Sequence, residues 1–478
     1  MDRYRVLSAF LWKFGERCGA QAIALLVQII LARILSPSDY GTIALLLVFI
    51  NILQVFVDSG LGNALIQKKE ADEADFSTIF LFNCTICLVL YILLALSAPL
   101  IASFYHDDAL VALIRVLGLT LLISGLRNVQ QAYVARRMAF RFIFISTLIA
   151  LSVAAVISIG MAYCGYGVWA LVAQNLLVNL VGTVVLWFMT DWRPHLSFAF
   201  TRFRKLFSFG SKLMVSALLE TCYNNLSQLV IGRLYTPSDL AFYTQGERFP
   251  LVIVSNINAS IDSVLLPSLS QHQDDPERVR HMLRRAMQTS SFLMWPLMMG
   301  LVVIAEPLVI VLLTEKWLPL VPYLQVFCFS YALWPIHTAN LNGINAMGRS
   351  DIFLKLEIVK KMLGLMVLLL AMSYGPFAIC CGILIAGIIG TFINAYPNKA
   401  LLDYPYLLQV RDIAPSCVLA IVMGAAIYPI AWIGLGNLPT MVLQIVAGFL
   451  FYFAFSYLFH LSAFAYVVET IQSVRRKS

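Results

Sequence analysis

The chain has 478 residues, of which 60% are hydrophobic and only 12% charged; its net charge is +8 and its mean hydropathy +0.84. Soluble domains carry roughly a quarter charged residues, so this composition excludes a water-coated fold and implies an all-α, polytopic membrane protein. Apolar periodicity gives about fourteen spans, at 14–35, 40–66, 77–102, 109–132, 142–163, 166–190, 206–235, 240–266, 287–313, 319–346, 352–374, 376–396, 412–433 and 438–461. The first follows a basic start, and its apolar core is much longer than the roughly 7–15 residues of a signal peptide. Ser36-Pro37-Ser38-Asp39 is no small-residue cleavage site, so the segment reads as an uncleaved span. It carries Arg17, Gln21 and Gln28 at steps of four and seven, and ends at Arg33.

The second span holds Asp58, and the third holds a lone C-x-x-C, Cys84 and Cys87, in "IFLFNCTICLVLYILL". Zinc needs about four ligands and no second cluster lies nearby, so these cysteines read as small buried hydrophobes and no metal site is expected. In the fourth span, Arg115 and Arg127 lie near opposite ends, where long side chains snorkel to headgroups. The seventh sets Lys212, Ser216, Glu220, Tyr223, Asn224 and Ser227 on one helical face and ends at Arg233. The eighth carries Glu247, Arg248 and Asp262; Arg248 lies roughly 13 Å deep at about 1.5 Å per residue, and adjacent Glu247 points to another face. The tenth has His337, Asn340, Asn342 and Asn345, with His337 expected as a hydrogen-bonded interior histidine. In the eleventh, Glu357 precedes Lys360 and Lys361 at pairing distance along the helix.

Loop charge tests the count. Numbering the N-terminal side as side one, its segments hold Arg3, Arg5 and Lys13, then Lys68 and Lys69, Arg136, Arg137 and Arg141, and so on to Arg475, Arg476 and Lys477. Side two holds Lys316 alone. A missed span would scramble this alternation, so both termini are expected in the cytoplasm. Basic inner loops beside anionic lipid also account for the positive charge without nucleic acid. Side-two loops are too short to hold a catalytic domain, so no catalytic residues are expected.

"QIILARILSPSDYG" (Gln28–Gly41) returns as "QLVIGRLYTPSDLA" (Gln228–Ala241), and "VDSGLGNALIQ" (Val57–Gln67) as "IDSVLLPSLSQ" (Ile261–Gln271). Spans one and two therefore match seven and eight in the same orientation. This is a parallel repeat about an axis along the membrane normal: lobes 1–200 and 201–400 of six helices each, then 401–478 with the last two helices and a basic cytoplasmic tail. Such lobes suggest substrate held between them and alternating access.

Charge in hydrocarbon costs several kcal/mol unless it faces water or a partner. The candidate cavity residues are Arg17, Gln21, Gln28, Lys212, Glu220, Asn224, Arg248 and Lys360; Arg33, Asp39, Asp58, Arg233, Asp239 and Asp262 are candidates for a gate or lobe interface. The excess of cations points to an anionic substrate, with arginine suited to phosphate. No glycine-rich phosphate loop occurs, so neither ATP nor another cofactor is expected. An H+ or Na+ gradient, the membrane potential or product removal would drive transport.

"LARILSPSDYGTIAL" followed by "FVDSGLGNALIQKKEADEADFSTIF" resembles the N-terminal region of bacterial polysaccharide transporters of the multidrug/oligosaccharidyl-lipid/polysaccharide exporter superfamily. The nearest branch is that of the lipopolysaccharide biosynthesis proteins resembling the colanic acid exporter. Helix count and the two-lobe repeat extend the likeness over the whole chain; its specific part is residues 28–80, echoed at 228–271. The resemblance implies flipping of undecaprenyl-diphosphate-linked oligosaccharide across the cytoplasmic (inner) membrane for O-antigen or exopolysaccharide synthesis, with polysaccharide polymerase machinery as a candidate partner. Arg33, Pro37, Asp39 and Gly41 match the family's first-helix pattern, and Asp58, Gly60 and Gln67 its second. The second copy departs from it at Ala241 and Val264. The alternative is an ion-coupled multidrug exporter of the same superfamily, which would want acidic residues in its cavity. A polymerase or glycosyltransferase would need extramembrane domains, and a scaffold role stays open.

Overall fold

In the computed structural model, residues 3–58, 65, 72–195 and 200–477 are described; the side chains of residues 3–18, 201–210, 212, 259, 260, 262–264, 470, 471 and 473–477 are not. Among the described residues all regular structure is helical. The helices are α1 (Arg3–Ile34), α2 (Pro37–Asp58), α3 (Glu73–Tyr105), α4 (Ala109–Arg136), α5 (Phe140–Tyr163), α6 (Val168–Met189), α7 (Phe200–Leu234) and α8 (Pro237–Ser270). They continue with α9 (Pro276–Leu313), α10 (Val321–Ala332), α11 (Trp334–Ala346), α12 (Ser350–Ala371), α13 (Pro376–Leu402), α14 (Tyr406–Ile427), α15 (Asn437–Leu458) and α16 (Ser462–Lys477).

Every predicted span is helical where its residues are described, with three local differences; the thirteenth closes in a 3-10 turn (Tyr428–Ile433). The tenth is a 3-10 turn (Glu315–Leu320) followed by α10 and α11, because Pro335 lacks an N–H and sits in the first turn of a new helix. The basic tail is itself a helix, α16, docked through Phe464 against Phe292 and Phe453 and through Tyr466 beneath the Arg285 guanidinium.

Among the described residues, ten helical segments are long and apolar enough to cross a membrane. The other four predicted spans are α1, α7, α8 and α12. Their lengths are 32, 35, 34 and 22 residues; side chains outside the described residues interrupt the first three, and Lys355, Glu357, Lys360 and Lys361 interrupt the apolar run of α12. They are the helices that carry Arg17, Lys212, Glu220, Glu247, Arg248, Glu357, Lys360 and Lys361. The chain is an all-α, multi-pass membrane protein.

Two compact units divide the chain, residues 1–241 and 242–478. The division falls at the start of α8 because α7 packs on α2 and α3. In the first unit α3 pairs with α4, α5 with α6, and α1 lies along α5. A capping box, Asp72 with Asp75, opens α3. Beside it Phe76 meets Tyr133 edge-on at 5.7 Å and Phe80 meets Trp192 at 6.0 Å. Gln130 of α4 ties the segment after α6 to this cluster, donating to the Trp192 carbonyl and accepting from the Thr190 hydroxyl.

In the second unit α9 is the central post, packed by α10, α11, α14 and α15. Polar groups there satisfy one another away from water. The Asn340 amide exchanges bonds with Gln409 at 2.8 and 2.9 Å, and Asn398 donates to the Asn340 side-chain oxygen at 2.6 Å. Outside the spans, the Tyr404 hydroxyl donates to Asp412 at 2.7 Å, and burial together with that carboxylate holds its pKa above the ordinary tyrosine value.

Candidate functional site

The two turns of the repeat are built alike. Ser36 donates to the Asp39 carboxylate through its amide and hydroxyl at 2.9 and 2.6 Å, and the Asp39 amide returns a bond to the hydroxyl at 3.2 Å. Thr236 and Asp239 repeat this at 3.1, 2.7 and 3.2 Å. Each is a capping box, with proline at the first helical position where its missing N–H costs nothing. Both aspartates are therefore engaged in their own turns.

The turns adjoin within the first unit. A Cβ on Gly41 would stand 1.6 Å from the Pro237 carbonyl oxygen, so only glycine allows this approach. One turn along, Gly232 of α7 faces Leu45 of α2. The Arg233 guanidinium lies over the Phe104 ring at 4.9 Å, beside a cavity of about 240 Å³ that Gly41, Tyr105 and Pro237 also line. Arg33 is exposed. Of the gate candidates, Asp39, Asp239 and Arg233 are thus gathered at one end. Asp58 lies elsewhere, and the side chain of Asp262 is outside the described residues, as are Gly60, Gln67 and the side chain of Val264.

The cavity candidates are more scattered. Gln21 is exposed, whereas Gln28 is buried and its carbonyl accepts from the Tyr40 hydroxyl at 3.3 Å. Glu220 accepts from the Asn224 amide at 3.2 Å, and both are exposed on α7. Arg248 is exposed; because α8 begins at Pro237, it lies about 16 Å from that end. Its neighbour Glu247 turns the other way and accepts from Tyr331 at 2.8 Å. An exposed charge at that depth must meet water or a partner, since bare lipid contact would cost several kcal/mol. Lys360 pairs with Glu357 at 2.5 Å, with the side chains 20% and 25% exposed. Gly390 separates Lys360 from His337, whose Nδ1 accepts from Asn394 at 2.9 Å. Arg17 and Lys212 have side chains outside the described residues.

A polar cavity of about 330 Å³ in the first unit was not foreseen from the sequence. Asn51, Gln54 and Asp58 of α2 face Thr120, Ser124, Arg127, Asn128 and Gln131 of α4 and Asn175 and Asn179 of α6. Gln54 and Asn128 both donate to the Asp58 carboxylate at 3.3 Å, and Asn128 also holds the Val57 carbonyl at 3.1 Å. Arg127 does not snorkel as expected: its guanidinium turns into this cavity beside Gly182, and with the amide of Gln131 suitably turned, Gln131 accepts from its Nε at 3.1 Å. Six of the lining residues are uncharged amides spread over three helices, so no charge scan would find them. Among the described residues no group of three His, Cys, Asp or Glu could hold a metal ion.

Comparisons with known proteins place this geometry. The chain is 27% identical over 319 residues to the succinoglycan biosynthesis transport protein ExoT of Rhizobium meliloti (strain 1021), covering 67% of this chain and 65% of that one, just under two thirds of the relative's length. It is 23% identical over 401 residues to the lipopolysaccharide biosynthesis protein WzxC of Escherichia coli (strain K12), covering 82% and 81%. The fold is that of the lipid II flippase MurJ in an inward closed conformation, with a TM-score of 0.74 over 94% of this chain and 99% of that one at 15% identity. The model of the polysaccharide biosynthesis protein family matches residues 30–322, more than half of the chain, and the protein belongs to that family.

Proposed function

We propose that the protein flips an undecaprenyl-diphosphate-linked oligosaccharide from the inner to the outer leaflet of the bacterial cytoplasmic membrane, for assembly of a surface polysaccharide. The observation that carries this reading is the exposed charge of Arg248 deep in α8, in a chain whose family and relatives are named for polysaccharide biosynthesis and transport. An exposed guanidinium there suits a diphosphate, because its fork bonds two oxygens at once. The lipid tail stays in the bilayer while the head group crosses by alternating access, with no covalent step and no ATP. An H+ or Na+ gradient or consumption of the product by polymerase machinery drives it, and both termini face the cytoplasm.

Deleting the gene in its host is expected to deplete surface glycan and to accumulate lipid-linked repeat units inside, with a plasmid copy restoring export. Intact surface glycan in the deletion strain overturns the reading. In the complemented strain Arg248→Ala is expected to lower export about tenfold at equal protein level, the loss of one charge-assisted bond. Unchanged export removes Arg248 from the path.

A further inference from the structure

We infer that the polar cavity between α2, α4 and α6 of the first unit binds a sugar residue of the transported glycan. This rests on the transport reading above and adds a second contact, separate from the diphosphate.

The wall chemistry decides the ligand class. A surface this rich in amides cannot face lipid, where each unsatisfied polar group costs several kcal/mol. Its two charged groups, Asp58 and Arg127, are of opposite sign. A phosphate would find no excess of cations there, and a metal ion would meet a guanidinium. What remains is a dense mixture of donors and acceptors, with Asn51, Asn128, Asn175 and Asn179 around the two charges. A sugar ring asks for that mixture, since each hydroxyl both donates and accepts.

The groups are also held in place before any ligand arrives. Gln54 and Asn128 fix the Asp58 carboxylate from one side, and the Gln131 amide, suitably turned, fixes the Arg127 guanidinium. Fixed groups lose less entropy on binding. The volume, about 330 Å³, lies at the lower end of the roughly 300–1,000 Å³ usual for small-ligand sites. It therefore admits a sugar residue and not a whole oligosaccharide. Asp58 ends the described part of α2, and Arg127 and Asn128 lie toward the Arg136 end of α4. The loop charges place both ends in the cytoplasm, the side on which a lipid-linked glycan must be loaded for export.

The test measures binding of two probes to the purified full chain in nanodiscs: the repeat-unit oligosaccharide released from the host's own lipid carrier, and undecaprenyl diphosphate without sugar. The wild type is expected to bind both. Asn51→Leu is expected to weaken oligosaccharide binding about tenfold, and Ser124→Ala, which removes only a hydroxyl, about threefold, with undecaprenyl diphosphate binding unchanged in both. The inference is overturned when the wild type does not bind the oligosaccharide, when the variants bind it as well as the wild type, or when both probes weaken alike. Loss of undecaprenyl diphosphate binding in the wild type instead overturns the transport reading itself.

Discussion

Replacing Gly41 by alanine adds one carbon where α2 meets the turn before α8. That carbon would stand 1.6 Å from the Pro237 carbonyl oxygen, 2.4 Å from the carbonyl carbon and 2.9 Å from the Cα. All three are backbone atoms, so no rotamer relieves the overlap, and the turn must retreat by about 2 Å to reach ordinary contact. Overpacking of this kind costs about 1–3 kcal/mol, a factor of about 5–150 in a two-state equilibrium. A protein whose turns part during transport absorbs that cost by shifting to the state with the turns apart, without unfolding. Gly232→Ala is the control, because its Cβ would meet the tip of Leu45 at 2.9 Å and that side chain can rotate away. Thr42→Cys, on the wall of the neighbouring cavity, reports the state through labelling by a membrane-impermeant maleimide in intact cells; Cys164, an exposed thiol, is first changed to serine. Labelling is expected to rise at least about fivefold with Gly41→Ala and to change little with Gly232→Ala. Equal labelling in Gly41→Ala and its parent would refute the idea that this contact closes the path.

Asn340→Leu keeps the side-chain volume but leaves Gln409 and Asn398 without their shared partner, at about 1–3 kcal/mol. The thermal midpoint of the purified protein is expected to fall, while Asn345→Leu, at an exposed position of the same helix, leaves it unchanged. Equal midpoints for the two would count against the network. For Glu357 and Lys360, a double-mutant cycle with Glu357→Gln and Lys360→Met is expected to show a coupling of about 0.5–3 kcal/mol in thermal stability. Additive effects would release Lys360 from its intrahelical pair and return it to the candidates for diphosphate binding.

The sequence made the helices legible because spans of about 20 apolar residues leave few other solutions in lipid, and all fourteen proposed segments are helical where their residues are described. Glu247, Glu357 and His337 have the partners their spacing or setting suggested, or turn where it suggested. Two things were not legible. The amide-lined cavity draws single residues from positions as far apart as Asn51 and Asn179, and uncharged amides in a span look like ordinary helix contacts until three helices are set side by side. Arg127 was misread for the same reason: depth along a helix says how far a side chain can reach, not which neighbour it turns toward.

The repeat itself conceals an asymmetry at one of its glycine substitutions, Gly41 to Ala241. Matching turns related by a two-fold axis would contact each other reciprocally, Gly41 against Pro237 and residue 241 against Pro37. Residue 241 is alanine and fully buried. A side-chain carbon already occupies the space that a proline carbonyl fills at Gly41, so the reciprocal approach cannot be equally close. One turn is the socket and the other the plug. Arg233, one turn before the plug, then lies over Phe104 of α3, while its counterpart Arg33 is exposed. The same motif is written twice because each copy must cap its own helix pair, and this demand is met identically by Ser36–Asp39 and Thr236–Asp239. Gly41, which Ala241 replaces in the second copy, is where the first copy meets the second. Substitutions in the shared capping residues should therefore act alike in both copies, whereas Ala241→Gly should leave the junction closed and only Gly41→Ala should open it.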